Sequence, residues 1–314
     1  MKLSLPFLVV LVASLFGLGV WLHTPDRPRD ELEALYLRSP ADYVQAAGMR
    51  LHVRDDGPRD APAVVMLHGF GASLHTWEGW AQGLAGPFRV VRFDLPGFAL
   101  TGPDPTGDYG DERAMVVLEA LLDRLGIARA SLIGNSIGGR IAWKFAALHP
   151  DRVEKLVLVS PDGFASPGFE YGRKAEVPGI LNLMRFILPT AAVRANLQPA
   201  YGDPAVLTDQ LTTRYRDLML APGVRDAMFA RLEQVMLEPP EPLLRRIQAP
   251  TLLLWGEKDA MIPVSNAADY ARALHDSRTV TFPDLGHVPQ EEAPARSLEP
   301  VRKFLAEGYP GLDG

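Results

Sequence analysis

Cysteine is absent from all 314 residues, which excludes disulfides, thiolate nucleophiles and zinc-thiolate centres and leaves the redox compartment open. Basic runs interleaved with aromatics are missing as well, and a net charge of -6 with a pI near 5.7 speaks against a nucleic-acid partner. The seven histidines have no metal-ligand spacing, so no metal is expected, and no motif calls for an organic cofactor. Internal repeats and low-complexity stretches are also lacking. What remains is a chain that is 47% hydrophobic and long enough to bury a large core, which suits one α/β domain with an insertion.

The amino terminus carries a long apolar run. Leu3 to Leu22 contains no charge, and it approaches the roughly 20 residues a membrane-spanning helix needs, beyond the roughly 7–15 of a signal-peptide core. No A-x-A-like cleavage site precedes Thr24. Residues 1–23 are therefore expected to act as an uncleaved anchor, with a cleaved signal segment and a buried core helix as the alternatives. Lys2 and the terminal amine favour a cytoplasmic start, against the vote of Arg27 and Arg29. The rest of the chain would then be periplasmic or extracellular, or secreted if the segment is removed. Residues 24–40, Pro-rich and charged at first, suit a stalk with an amphipathic turn or two over Asp30 to Leu37.

Beyond the stalk, Tyr43 to Ala46 and Met49 to Val53 flank Ala47-Gly48 and predict an opening hairpin. Short apolar runs then alternate with helix-like stretches: Ala63 to Leu67, Arg89 to Phe93, Ala130 to Ile133, Val153 to Val159, Thr251 to Trp255 and Arg278 to Phe282. That alternation predicts a doubly wound, mostly parallel sheet. Between Pro161 and Gln248 the rhythm breaks into helical patches such as Leu181 to Leu188 and Arg225 to Leu237.

Chemistry concentrates at Gly134-Asn135-Ser136-Ile137-Gly138, a serine at the tip of a predicted strand-turn-helix. Such a turn crowds the serine, so small flanking residues are needed, and it sets the Ile137 amide at a helix N-terminus where N–H groups lack partners. Upstream, Ala63 to Leu67 runs into His68-Gly69-Phe70-Gly71, a loop able to aim the Phe70 amide at a developing oxyanion. Downstream, Thr251 to Trp255 leads to Asp259, and Arg278 to Phe282 leads to His287. Serine, acid and histidine thus follow in order, each past the end of a predicted strand, where open α/β sheets gather ligands.

This combination resembles the α/β-hydrolase family from about Ala41 to Leu305. The resemblance implies Ser136 as nucleophile, His287 as general base and acid, Asp259 as its orienter, and the Phe70 and Ile137 amides as oxyanion hole. It also implies that residues 161–248 form a helical cap inserted after the sixth strand of a core made of residues 41–160 and 249–314. Asp94-Leu95-Pro96-Gly97-Phe98 matches a structural loop of the family, with Ala99 where a glycine is frequent. Asp162 also follows a strand and rivals Asp259, but Trp255 to Asp259 resembles the usual acid-bearing turn. Among other histidines, His68 is expected to be a hydrogen-bonded structural residue, and Asp284 a turn former.

Two-step acyl transfer to water is the reaction these residues support, with a small-molecule carboxylic ester as substrate. A serine at the elbow speaks against the dehalogenase and epoxide-hydrolase branches. The elbow also resembles that of hydrolases acting on carbon-carbon bonds of ring-cleavage products, although Gly71-Ala72-Ser73 and Val288-Pro289-Gln290 depart from that branch's pattern. A non-catalytic, ligand-binding member is the third reading. Leu183, Met184, Phe186, Ile187, Met228 and Phe229 recur at helix-compatible spacing, so some are expected to line a pocket for short to medium acyl chains.

Overall fold

The computed structural model describes residues 22–166, 170–174 and 179–309. Eight strands form one sheet: β1 Tyr43–Ala46, β2 Met49–Asp56, β3 Ala63–Leu67, β4 Arg89–Phe93, β5 Ala130–Asn135, β6 Val153–Val159, β7 Thr251–Gly256 and β8 Ser277–Phe282. Their spatial order is β1-β2-β4-β3-β5-β6-β7-β8. The first two are antiparallel to each other, β2 is antiparallel to β4, and every later pairing is parallel. Because β4 lies to one side of β3 and β5 to the other, the winding reverses at β3 and β5, and a crevice opens beyond their carboxyl ends. The opening hairpin is the predicted one, turned by Ala47 and Gly48 at positive φ, and β2 runs three residues past Val53.

Alternation along the strands fills two cores. Val65 and Leu67 of β3 face one, with helices α3 Asp111–Arg124 and α4 Ile137–Leu148, while Val64 and Met66 face the other, with α2 Glu78–Leu84 and the helix Pro294–Ala306. Trp77, Trp80, Trp143 and Trp255 are fully buried and supply much of the apolar area that holds helices to sheet.

Between β6 and β7 lie a 3₁₀ turn, Gly179–Arg185, and helices α5 Thr190–Leu197, α6 Asp209–Met219, α7 Val224–Gln234 and α8 Glu241–Leu244. Thr208 caps α6 by accepting from the Leu211 amide, and Gly223, at φ 74°, turns the chain into α7. The patch expected to be helical over Leu181 to Leu188 is therefore a short 3₁₀ turn, since Pro189 follows it at once. Leu188, Val193, Tyr215 and Leu220 pack together with Ala72, joining this insertion to the loop after β3.

The amphipathic turn or two expected over Asp30 to Leu37 is present, but residues 24–40 lie against the rest of the chain instead of standing off as a stalk. Arg29–Tyr36 is helix α1, with Leu32 fully buried beside Ala99, Leu100 and Val224. Ahead of it the chain lies on the insertion as an arm: the Thr24 amide donates to Phe186 O (2.8 Å) and the Arg27 amide to Leu220 O (2.8 Å). Both donors, Thr24 and Arg27, immediately precede a proline, a setting that favours extended backbone. The anchor or signal segment expected over residues 1–23 lies almost wholly outside the described residues. Among the described residues, no helix is long and apolar enough to cross a membrane.

Candidate active site

Ser136 sits between β5 and α4 at φ 54°, ψ -121°, a conformation that costs a non-glycine residue about 1–3 kcal/mol and that the surrounding packing must impose. Two residues to either side, Gly134 and Gly138 must be glycine because the backbone closes on them. A Cβ on Gly134 would stand 2.3 Å from Gly138 O, and one on Gly138 would stand 2.3 Å from Leu67 O and 2.5 Å from His68 O. The elbow is thus wedged against the end of β3, and the Ser136 amide donates to Val159 O of β6 at 3.1 Å.

The loop after β3 runs beside this turn so closely that a Cβ on Gly69 would meet the Asn135 side chain at 2.9 Å. His68 is fully buried and shapes the loop. Its Nε2 accepts the Leu95 amide (2.9 Å), so Nδ1 carries the proton and donates to Gly69 O (2.7 Å), which orients the peptide plane that includes the Phe70 N–H. Burial holds the His68 pKa below its ordinary value, in keeping with this neutral form. Among the described residues, no backbone carbonyl takes the amide of Phe70 or of Ile137. The structural loop after β4 is tied by Asp94, buried and ionised, which accepts from His52 Nδ1 (2.7 Å) and from the amides of Leu74 (2.7 Å) and Leu100 (3.1 Å). Ala99 takes φ 45°, which explains why a glycine suits that place.

Asp259 lies in the turn after β7 and His287 in the loop after β8, and His287 Nδ1 stands 2.8 Å from Asp259 Oδ2. The other oxygen, Oδ1, accepts the amides of Met261 and Ile262, each at 2.8 Å. Burial pushes the Asp259 pKa up, but the attraction and hydrogen bond of His287 and these amides outweigh it, and the group stays below its ordinary value. A carboxylate so held accepts the hydrogen bond of Nδ1–H, which keeps the proton on Nδ1 and leaves the lone pair on Nε2. Asp162 makes no such contact: it is 2.7 Å from Arg140. Asp284 pairs with Arg296 at the surface, and Glu257 accepts from Thr281.

Ser136 and His287 line one cavity of about 280 Å³ with Phe70, Met184, Met228 and Phe229. That is close to the lower limit of roughly 300 Å³ for small-molecule pockets. Of the insertion residues expected to reach it, Met184, Met228 and Phe229 do. Leu183, Phe186 and Ile187 do not; Leu183 and Phe186 are 50% and 58% exposed, because the 3₁₀ turn stacks residues three apart and sets this pair on another side from Leu181 and Met184. Met219, Leu232 and Met261 add apolar wall, and Arg225 is the only permanently charged lining residue among those described.

Residues 62–294 match the family described as the alpha/beta hydrolase fold. The chain belongs to the α/β-hydrolase family. Among curated relatives, this α/β hydrolase is 28% identical over 275 residues to a 2-hydroxy-6-oxononadienedioate/2-hydroxy-6-oxononatrienedioate hydrolase of Comamonas testosteroni, covering 83% of this chain and 93% of that one. Among solved structures it is similar to a bacterial membrane phospholipase A, at 27% identity and TM-score 0.71, over 95% of this chain and 96% of that one. It is also similar to the enol-lactonase from Burkholderia xenovorans LB400, at 26% identity and TM-score 0.73, over 84% and 100%.

Two further features of this α/β hydrolase escaped the sequence reading. Asn135, inside the elbow motif, donates from Nδ2 to Val159 O and to His287 O, each at 3.0 Å, and so ties the serine turn to the backbone of the histidine loop. An asparagine buried at a strand end was its only signal. Glu291, four residues past His287, accepts from Tyr201 and Tyr215 hydroxyls at 2.8 Å each and pairs with Arg214. Its partners all come from the insertion, and the His287 amide itself donates to Ala200 O there (2.7 Å). The histidine loop is therefore held from both sides, by the elbow and by the insertion.

Proposed function

We propose that this α/β hydrolase cleaves carboxylic esters of apolar, short to medium acyl chains through an acyl-enzyme on Ser136. One observation carries the reading. The cavity over Ser136 is walled by Met, Leu and Phe, and its one permanent cation among the described residues, Arg225, is already paired with Asp26 at 2.6 Å. An acyl chain suits that wall, whereas the carboxylate of a ring-cleavage product would enter without a free counter-charge, which is costly in an apolar site.

In the proposed sequence, Ser136 Oγ attacks the ester carbonyl as His287 Nε2 takes its proton. Asp259 keeps the imidazole in the productive tautomer and stabilises the imidazolium. The Phe70 and Ile137 amides hold the tetrahedral oxyanion, each worth about 3 kcal/mol in comparable sites. His287 returns the proton to the leaving alcohol, and a water activated in the same way then releases the acid.

The likeness to a membrane phospholipase A, over nearly the whole chain, supports an ester as the scissile group and a lipid surface as the place of work. Leu3 to Leu22 would anchor the enzyme there, with the catalytic domain on the periplasmic or extracellular side. The curated relative supports a second reading, hydrolysis of a carbon-carbon bond in a ring-cleavage dienoate. The deciding measurement is kcat/KM for p-nitrophenyl esters from C2 to C16 beside a ring-cleavage dienoate. Each buried methylene contributes about 0.8 kcal/mol, so the rate should climb several-fold per carbon until the cavity is full and then fall. A steady rise to C16 would favour a lipase, and rapid dienoate turnover without ester cleavage would install the second reading.

A further inference from the structure

The arm that precedes α1 reaches the pocket wall. Arg225, on α7, is 7% exposed and lines both the cavity over Ser136 and an outer groove with His23, Pro25, Asp26, Arg185 and Asp226. Its Nη2 lies 2.6 Å from Asp26 Oδ1, its Nη1 reaches Met184 O only at 3.5 Å, and its Nε is buried without a partner. Asp26 is the one carboxylate paired with it among the described residues. The neighbouring Arg185 is taken up by Asp226 (2.6 Å) and Glu233 (3.3 Å). The pocket therefore contains a guanidinium with donors to spare, and its charge is cancelled by a residue 199 positions away.

We infer that Asp26 is a specificity-determining residue: by neutralising Arg225 from the arm, it closes this pocket to carboxylate-bearing substrates and leaves it open to neutral acyl groups. This rests on the reading that the cavity over Ser136 is the substrate pocket. A buried cation without its counter-ion attracts any anion that can reach it, and a second carboxylate beside an intact Asp26–Arg225 pair meets repulsion from the first. The arm does not depend on this pair alone. Thr24 bonds to Phe186 O and accepts from the Leu188 amide, and Arg27 bonds to Leu220 O and pairs with Asp217. Asn at position 26 would still accept from the Gly223 amide, as Asp26 Oδ2 does at 2.9 Å.

The test uses the full chain in detergent with Ser136→Ala as the binding background, and hexanoate and hexanamide as probes in calorimetry. Adding Asp26→Asn should tighten hexanoate binding about tenfold or more while hexanamide moves less than threefold, and adding Arg225→Met as well should abolish the gain. With Ser136 in place, the kcat/KM ratio of p-nitrophenyl hydrogen adipate to p-nitrophenyl hexanoate should rise similarly in Asp26→Asn. Equal shifts for both probes, a gain that survives Arg225→Met, or no hexanoate binding to the Asp26→Asn protein would overturn the inference. Thermal melts identify a folding failure, in which case Asp26→Ser supplies a second uncharged residue. If the parent enzyme cleaves neither ester, the proposed function falls, while the hexanoate comparison still decides the role of Asp26.

Discussion

At Ser136 the strain of a positive φ is sustained by packing on both sides, so replacing the side chain removes chemistry without relaxing the turn. Ser136→Ala and His287→Ala should each lower kcat by about a million-fold in a folded protein, by analogy with other serine triads. A loss below tenfold in either, with unchanged circular dichroism, would remove the assignment. The acid separates by contact. Asp259→Asn should cost about ten-thousand-fold by favouring the wrong imidazole tautomer, since Asp259 Oδ2 is what His287 Nδ1 meets. Asp162→Asn, whose partner is Arg140, should be mild in kcat, and the reverse pattern would move the orienting role to Asp162.

Elements meet at the site through close backbone contact, and Gly138 is one of the points where they do. Gly138→Ala places a methyl 2.3 Å from a β3 carbonyl that cannot retreat without breaking its ladder, so α4 must shift and the elbow with it. Thermal melting should fall and activity should be lost together. The arm makes a comparable claim. A chain starting at Thr24 keeps the backbone bonds to Phe186 and Leu220 and the ion pairs of Asp26 and Arg27, and should melt as the full chain does. One starting at Asp30 loses these contacts. At about 2 kcal/mol for the set and about 2–4 °C per kcal/mol in a chain of this size, its melting point should drop by about 5 °C. Equal melting of the two would mean that the arm adds no stability.

Across the whole molecule, a buried charge cluster joins the insertion to the core. Asp111 pairs with Arg140 (3.1 Å) and Lys144 (2.8 Å), and Arg231 of α7 lies 3.7 Å away. Burial pushes the Asp111 pKa up, but the three cations outweigh it and bring it down to about 2. A carboxylate depressed in the folded state stabilises the fold above its unfolded pKa, near 4, and that contribution disappears as pH falls toward 2. About 2 kcal/mol of pH-dependent stability should be lost over that window. The stability difference between the parent and Asp111→Asn should therefore shrink as pH falls from about 4 to 2, and a gap independent of pH there would contradict this linkage. The proposed anchor is checked at the same scale. Full-length protein should stay with membranes through a high-salt wash, because apolar insertion is not screened, and recovery of a mature protein that begins after about residue 19 would instead indicate a cleaved signal.

The sequence by itself determined the strand alternation, the serine turn and the order Ser136, Asp259, His287, because each is written in a few neighbouring residues: apolar runs, glycines that permit close approach, polar side chains past strand ends. The overlying insertion was legible only as a break in rhythm, and its 3₁₀ turn sent Leu183 and Phe186 outward where helical spacing had pointed them in. Tertiary structure alone decided the rest. Whether Asp26 meets Arg225, Asn135 meets the His287 carbonyl, or Glu291 meets Tyr201 and Tyr215 depends on how segments 76 to 199 residues apart are brought together. No local pattern encodes such pairs, since burial of the whole core fixes which distant side chains face one another, and a charge or hydroxyl enclosed there takes whichever partner the packing provides.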